Sequence, residues 1–187
     1  STSPAVGTTV VGNNGNTISS NNIGPAGANL PVKAITAVGT TTNNNTINRD
    51  NVFDGNNVFD FFGTGGVSVS GFDIRTGNTN FTIQNNRIYQ TAPRTFTTTA
   101  LRYAGITLVG TTSANGNFHT IRNNVIGFGA ANGTGTTTIN GSSNEFRGLD
   151  LAAASGGTAT SVQGNVISGI NQTSSRASTT ASSSPFI

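Results

Sequence analysis

The sequence predicts an all-β fold, a right-handed parallel β-helix with three sheets, about five main turns and long variable arms at one corner. Three observations support this prediction. A seven-residue pattern recurs five times along the 187 residues, a second short aliphatic segment recurs between the copies, and no stretch has helical periodicity. Three short strands in a constant order within each period are typical of a triangular solenoid.

The recurring pattern is [Thr/Ser]-[Ile/Val]-x-x-[Asn/Asp]-x-[Ile/Val]. Its copies are TISSNNI from Thr17, TINRDNV from Thr46, TIQNNRI from Thr82, TIRNNVI from Thr120 and SVQGNVI from Ser161. Successive copies begin 29 to 41 residues apart, so the repeat carries insertions of variable length. The aliphatic residues predict a core stack with the members Ile18, Ile47, Ile83, Ile121 and Val162, followed by Ile23, Val52, Ile88, Ile126 and Ile167.

Each copy is expected to form two short strands joined by a corner. Its two aliphatic residues are five positions apart, and the alternation of a single straight strand would turn them to opposite faces. Asparagine and aspartate tolerate the left-handed backbone conformation better than other non-glycine residues. The sequence therefore predicts a structural corner ladder whose members are Asn21, Asp50, Asn86, Asn124 and Asn165.

The second pattern is a glycine-containing aliphatic strand that precedes the next corner motif by about 12 residues. It recurs at 33–39, 71–74, 104–110 and 148–151. Each turn of the predicted helix would add a rung about 4.8 Å along its axis. The long segments that lead from each corner motif to the next glycine strand predict arms, and residues 95–99 and 136–139 predict additional strands within them.

The composition excludes several classes of function. Only 8% of the residues are charged, and cysteine, methionine and tryptophan are absent. The net charge of +3 comes from nine basic residues that are scattered singly, so no concentrated patch for nucleic acid is expected. No stretch approaches the roughly 20 apolar residues of a membrane span.

The two ends of the chain share a short motif. Residues 3–6 read Ser-Pro-Ala-Val and residues 184–187 read Ser-Pro-Phe-Ile. This similarity predicts that residues 1–187 are one module of a tandem or end-to-end array, with 174–184 as a Ser/Thr-rich arm or linker to the next unit. The candidates for end-to-end contact are Pro4, Ala5, Val6, Pro185, Phe186 and Ile187.

Five aspartates are candidates for catalytic or metal-binding groups. Asp73 and Asp150 are expected on the outward face of equivalent glycine strands, two rungs and about 9–10 Å apart, at the far limit for an inverting glycosidase pair. No lysine or arginine shares their column, so we interpret them as solvated aspartates. Asp50, Asp54 and Asp60 lie close in sequence but lack the regular ligand alternation of a calcium loop.

Two further features are the single histidine and a column of hydroxyl groups. His119 occupies an inward slot before the fourth copy and is interpreted as a hydrogen-bonded core histidine. The Thr and Ser residues that open the copies predict a hydroxyl column, but the column beside it is too bulky for an ice-binding face. The sequence therefore predicts no catalytic, cofactor-binding or metal-binding residue, and no cofactor.

Four blocks carry a resemblance to a known class of proteins. They are NGNTISSNNIGPAGANLP, GNTNFTIQNNRIYQTAPRTFTTT, NGNFHTIRNNVIGFGAANGTGT and SVQGNVISGI. The chain resembles the large secreted right-handed parallel β-helix repeat proteins of bacteria, in the style of Bacteroidetes-like surface and adhesin repeats. The resemblance implies a secreted bacterial protein, extracellular or at the cell surface, and it supplies no catalytic positions.

The leading hypothesis is a non-enzymatic structural module of an extracellular filament, stalk or adhesin. It would stack end to end through the open edges of its β-helix, so the expected partner is a second copy of the chain. Surface glycans are a second kind of partner, and no nucleic acid or membrane span is expected. The alternative is a polysaccharide-binding or polysaccharide-cleaving β-helix.

Overall fold

The computed structural model describes residues 12–41, 46–110, 116–154 and 157–174. Within these ranges the protein is all-β, with no α-helix, and every pairing between named strands is parallel. The end-contact candidates Pro4, Ala5, Val6, Pro185, Phe186 and Ile187, and the proposed linker beyond Ser174, lie outside the described residues.

The strands are short, as expected for a chain that bends every few residues. In chain order they are β1 (Thr17–Ser19), β2 (Asn22–Ile23), β3 (Lys33–Ala37), β4 (Asn48–Arg49), β5 (Val52–Asp54), β6 (Asn57–Phe59), β7 (Val69–Ile74), β8 (Asn78–Thr79), β9 (Thr82–Gln84), β10 (Arg87–Tyr89), β11 (Arg94–Thr95), β12 (Arg102–Val109), β13 (Thr120–Arg122), β14 (Val125–Gly127), β15 (Thr137–Asn140), β16 (Glu145–Ala152), β17 (Ser161–Gln163), β18 (Val166–Ser168) and β19 (Ile170–Thr173).

The strands form five parallel sheets, which we number by the order of their strands from one sheet 1 strand to the next. Sheet 1 is β1-β5-β9-β13-β17, sheet 2 is β2-β6-β10-β14-β18, sheet 3 is β11-β15-β19, sheet 4 is β3-β7-β12-β16 and sheet 5 is β4-β8. Five passes of the chain begin at β1, β5, β9, β13 and β17. The first four each add one strand to sheets 1, 2 and 4 in constant order, and the fifth adds to sheets 1 and 2 within the described residues. Passes three to five also add to sheet 3, and passes one and two add to sheet 5. The parallel all-β arrangement and the three recurring strands were predicted, but the described residues form five sheets and not the three that were predicted.

The second copy of the repeat was placed wrongly in the sequence. The pairing aligns Ile18 with Phe53 and then Ile83, and Ile23 with Val58 and then Ile88. The second copy is therefore VFDGNNV at 52–58. Phe53 takes the position predicted for Ile47, and Val58 takes the position predicted for Val52.

The residues of the mistaken copy lie in the neighbouring elements. Ile47 is buried outside this stack, next to β4, and Val52 opens β5 beside Thr17 and Thr82. Asp50 is not in the asparagine column and lies in an exposed turn, where it accepts a hydrogen bond from the Asn80 side chain. Phe53 fits the stack because Phe72 and Phe81 pack around it, at ring-centroid distances of 5.6 and 6.1 Å.

The left-handed corner residue also lies one position earlier than predicted. Positive φ angles occur at the residue before each column asparagine, at Ser20 (57°), Gly55 (65°), Asn85 (57°), Asn123 (55°) and Gly164 (61°). Two of these five residues are glycine and two are asparagine, the residues that best tolerate this conformation. The column asparagines are therefore free to use their side chains for other contacts.

Sheet 4 closes the core opposite sheets 1 and 2. Three of its four strands, β7, β12 and β16, carry glycine at equivalent positions, and a Cβ on Gly105 would lie 2.7 Å from both the Gly148 carbonyl oxygen and the Ile126 Cγ2 atom. These glycines allow the aliphatic side chains of sheet 2 to pack directly against the backbone of sheet 4. Beside them, Tyr103 is fully buried and stacks between Phe61 and Phe146, with centroid distances of 5.2 and 5.1 Å.

Burial of the core falls from the middle of the stack towards both ends. Ile83, Ile88, Ile121 and Ile126 in the inner passes are 0% exposed. The equivalent residues of the outer passes are much more open, at 41% for Ile18, 42% for Val162 and 44% for Ile167. The strands of the first and last passes also pair on one side only within the described residues.

Candidate functional site

A column of five asparagines runs along the junction of sheets 1 and 2. The side-chain Oδ1 atom of each member accepts the backbone N–H of the member in the preceding pass. The donor–acceptor distances are 3.0 Å from Asn21 to Asn56, 2.9 Å from Asn56 to Asn86, 3.0 Å from Asn86 to Asn124 and 3.0 Å from Asn124 to Asn165. Asn21, Asn86, Asn124 and Asn165 thus lie in one column as expected, and Asn56 replaces Asp50.

The amide groups of the column also satisfy the backbone of sheet 1. The Nδ2 atom of Asn86 donates to the Phe53 carbonyl at 3.0 Å and to Asn124 Oδ1 at 2.9 Å. Asn56 and Asn124 make the equivalent bonds to Ile18 and Ile83, and all three inner side chains are 0% exposed. Because buried polar groups are costly unless paired, this column fixes the register of each corner.

The column is incomplete at its two ends, and the missing partners differ. Among the described residues no donor reaches Asn21 Oδ1 at the first pass, and no acceptor receives the backbone N–H of Asn165 at the last pass. The first end therefore presents an acceptor and the last end presents a donor.

A second, less regular column precedes sheet 1 and contains His119. Its Nδ1 atom accepts the backbone N–H of Phe81 at 3.2 Å, as Asn51 Oδ1 accepts that of Asn16 at 2.9 Å. The imidazole is 1% exposed, and burial lowers the pKa of His119 to about 4. The histidine is therefore neutral near pH 7 and is a buried core residue, as the sequence predicted.

The outer face of sheet 4 carries a network of ion pairs around Asp73. Lys33 Nζ contacts Asp73 Oδ2, and Arg75 Nε lies 2.9 Å from Oδ2 and 2.8 Å from Oδ1. The Asp73 side chain is 1% exposed, whereas the two cations are 35% and 43% exposed. Asp73 is therefore a buried carboxylate that holds two partly exposed cations at the surface.

Arg102 and Arg147 form a second part of this network with Glu145 and Asp150. Arg102 donates to Asp150 at 2.6 Å and to Glu145 at 3.2 Å, and Arg147 contacts the same two carboxylates at 2.7 and 3.0 Å. Two arginines shared between two carboxylates fix the four side chains in one arrangement.

The interpretation of Asp73 and Asp150 as solvated aspartates was wrong. The cations do not share their column, but the register places Lys33 beside Ser70 and Arg147 beside Ala104, in the neighbouring outward column of the same sheet. From there their long side chains reach the aspartates. A shallow cleft of about 90 Å³ lies between the two carboxylates, and Ser70 and Thr107, whose hydroxyls are 3.0 Å apart, line it.

The three aspartates considered for calcium bind separate partners. Asp50 contacts Asn80, Asp54 Oδ1 accepts Asn85 Nδ2 at 2.7 Å, and Asp60 contacts Thr91 and Arg94. Burial alone would raise the pKa of Asp60, but the hydrogen bonds from Thr91 and the charge and hydrogen bond of Arg94 outweigh it, so the pKa lies below its ordinary value. The described part of the chain contains no group of three or more potential metal ligands from His, Cys, Asp or Glu.

A cavity of about 510 Å³ opens at the first pass, and its lining combines the apolar residues Ile18, Ile35 and Phe53 with the amides of Asn16 and Asn51. The interior is therefore incompletely filled at this end.

In the described residues no helix is long and apolar enough to cross a bilayer.

These features define the chain as an all-β protein of parallel sheets, in which the recurring asparagine side chains bond to the backbone and the recurring aliphatic side chains pack in the core. Comparison with protein-family models, curated proteins and solved structures gave no match.

Proposed function

We propose that this protein is a non-enzymatic structural module of an extracellular filament, stalk or adhesin that stacks end to end through the open edges of a right-handed parallel β-helix. The observation that carries the proposal is the loss of burial at both ends of an otherwise continuous core. Ile18 and Ile167 are 41% and 44% exposed, whereas Ile83 and Ile88 in the same columns are fully buried.

The constant order of sheets 1, 2 and 4 supports the helical part of the proposal. Each inner strand of these sheets pairs in parallel with its equivalents one pass before and one pass after, which is the arrangement that a chain coiling in one direction produces. A right-handed sense follows the general rule for parallel crossover connections. Sheets 3 and 5 would then be local additions at the corners.

The edges support self-association. A parallel strand with a free side offers unpaired N–H and C=O groups, and pairing with another strand is the usual way to satisfy them. The exposed aliphatic residues at the same places add apolar area whose burial is favourable by about 25 cal/mol per Å². The placement outside the cell rests on the resemblance to secreted bacterial repeat proteins.

The arrangement of polar groups supports a non-enzymatic role. The Asp73 and Asp150 carboxylates that would form a glycosidase pair are each held by two cations. His119 is buried with its Nδ1 atom bonded to backbone. A general acid or base needs a reachable group, and these residues serve the fold instead.

Replacing Ile167 with lysine is the direct test of end-to-end stacking. We expect the average molar mass of the wild-type particles, measured by sedimentation or light scattering, to increase with protein concentration. Ile167→Lys should raise the dissociation constant at least tenfold, because each joint would bury an unpaired ammonium group.

Val67 offers a matched control for this substitution. It is an aliphatic residue of similar exposure, 45%, but it precedes β7 in an inner pass. Val67→Lys should leave the mass distribution unchanged. A wild-type chain that remains monomeric across the full concentration range would contradict the proposed function.

A second candidate function is the binding or cleavage of polysaccharide at the outer face of sheet 4. The specific observation in its favour is the cleft at Ser70 and Thr107, where hydroxyls lie between carboxylates and the partly exposed cations Lys33, Arg75 and Arg102. Such a mixture of donors and acceptors suits the hydroxyls of a sugar.

The second candidate is tested by a glycan array together with a reducing-sugar assay. If this face binds a glycan, Arg75→Gln should weaken binding at least tenfold, whereas Arg122→Gln on the exposed face of sheet 1 should not. Turnover by the wild type that is lost in Asp150→Asn would overturn the non-enzymatic proposal, and no signal in either assay would eliminate the second candidate.

A further inference from the structure

We infer that the joint between two copies is head to tail, with the last pass of one copy paired with the first pass of the next in a single defined register. This inference rests on the proposed stacking function and adds its direction. The resulting assembly would be an open, polar filament rather than a closed dimer.

The first argument comes from the asparagine column. Its first-pass end presents Asn21 Oδ1 without a donor from the described residues, and its last-pass end presents the Asn165 backbone N–H without an acceptor. Within the protein the same two groups pair at 2.9 to 3.0 Å in every pass. A donor end and an acceptor end complement each other, whereas two equal ends leave like groups facing each other.

The second argument comes from strand direction. Every pairing in sheets 1 and 2 is parallel, so a second copy placed by the same translation continues both sheets, β17 onto β1 and β18 onto β2. Joining two equal ends requires a two-fold rotation, which would make the pairing antiparallel and break the asparagine column. A contact between two different surfaces leaves one surface of each kind free at the ends of a dimer, so further copies add to it and a filament forms when no ring closes.

The third argument comes from the apolar residues at the two ends. Ile121 pairs with Val162 inside the protein, so the next partner of Val162 in the same register is Ile18 of the following copy. Likewise Ile167 would meet Ile23, as Ile126 meets Ile167 within the chain. These pairs would bury the aliphatic residues that the end passes leave exposed.

The direction is tested with two variants that each block one end. Ile18→Lys blocks the first end and Ile167→Lys blocks the last end, and circular dichroism and thermal melting verify that each variant is folded. Because a head-to-tail joint needs one end of each kind, each variant alone should be monomeric. An equimolar mixture should form a dimer with one copy of each variant and nothing larger.

The outcomes separate this inference from the proposed function. A wild type without self-association contradicts both. A wild type that associates, together with an Ile18→Lys or Ile167→Lys variant that still dimerises alone, retains the proposed function and overturns the head-to-tail joint, because equal ends would then be in contact.

The register is tested with engineered cysteines, since the natural chain has none. Gln163 pairs with Arg122 inside the protein, so its partner in the next copy would be Ser19. Opposite residues on neighbouring strands are roughly 5 Å apart, within disulfide range, and a shift of two residues exceeds about 7 Å.

We therefore expect Ser19→Cys/Gln163→Cys to give a ladder of disulfide-linked oligomers under mild oxidation. Thr17→Cys/Gln163→Cys, which places the thiols two positions apart, should give at least fivefold less cross-linked product. Equal cross-linking of both double variants would overturn the proposed register.

Discussion

Replacing Asn86 with leucine is expected to lower the free energy of unfolding by about 3–5 kcal/mol, although the two side chains have the same number of non-hydrogen atoms and the same branching. Asn86 is 0% exposed, and its side chain bonds to Asn56, Phe53 and Asn124. Leucine would leave the buried backbone N–H of Asn56 without an acceptor, and it would also remove the acceptor of one Asn56 Nδ2 hydrogen and one donor to the Phe53 carbonyl. Each such group costs about 1–3 kcal/mol, which accounts for the expected loss.

The same substitution at Asn21 is the matched control. Asn21 belongs to the same column, but its side chain is exposed and water can replace its hydrogen bonds. We expect Asn21→Leu to cost about 1 kcal/mol or less, as usual for an exposed hydrogen bond. Urea unfolding of both variants at one pH measures the difference, and equal losses would show that burial of the column does not determine its contribution.

The position of this column was largely predictable from the sequence, whereas the residue that turns the chain was not. Four of its five asparagines follow from the repeat alone. The pattern attributed the left-handed conformation to the asparagine itself, but Ser20 and Gly55 adopt it one position earlier. Both interpretations require an asparagine near a bend, so the sequence does not distinguish them, whereas the φ angles do.

The second copy was misplaced for a physical reason. The segment 46–58 contains two overlapping candidates, and TINRDNV matches the aliphatic pattern better than VFDGNNV. The pattern did not allow phenylalanine at the inward position, yet Phe53 fits because Phe72 and Phe81 pack against it. Packing between distant segments decided the register, and a single-sequence pattern does not contain that information.

The ion pairs on sheet 4 were missed because they depend on how neighbouring columns meet. Asp73 and Lys33 are 40 residues apart in sequence, and their side chains belong to adjacent passes and different columns. The outward position of Asp73 could be predicted from its glycine strand. Predicting that Lys33 and Arg75 would bury it would have required knowledge of the register of β3 against β7.

Acidification is expected to destabilise this protein through His119. The pKa of the buried imidazole is lowered to about 4 from its ordinary value of 6.5, so the unfolded chain takes up a proton over this range while the folded chain does not. Stability is therefore fully present above pH 6.5 and is lost as the pH falls towards 4. We expect a loss of about 2–3 kcal/mol between pH 7.5 and pH 4.5.

The variant His119→Asn separates the titration of the imidazole from the titrations of the carboxylates. Asparagine retains an acceptor for the Phe81 N–H, as Asn51 does for Asn16 in the same column, but it does not take up a proton in this range. Asp60, whose pKa is lowered, loses its contribution only below its ordinary value of 3.8, outside the interval measured. Urea unfolding at pH 7.5, 5.5 and 4.5 should show that His119→Asn removes most of the pH dependence, whatever its stability at pH 7.5. An unchanged pH dependence in the variant would mean that another group is responsible and that the imidazole is reachable by protons in the folded state.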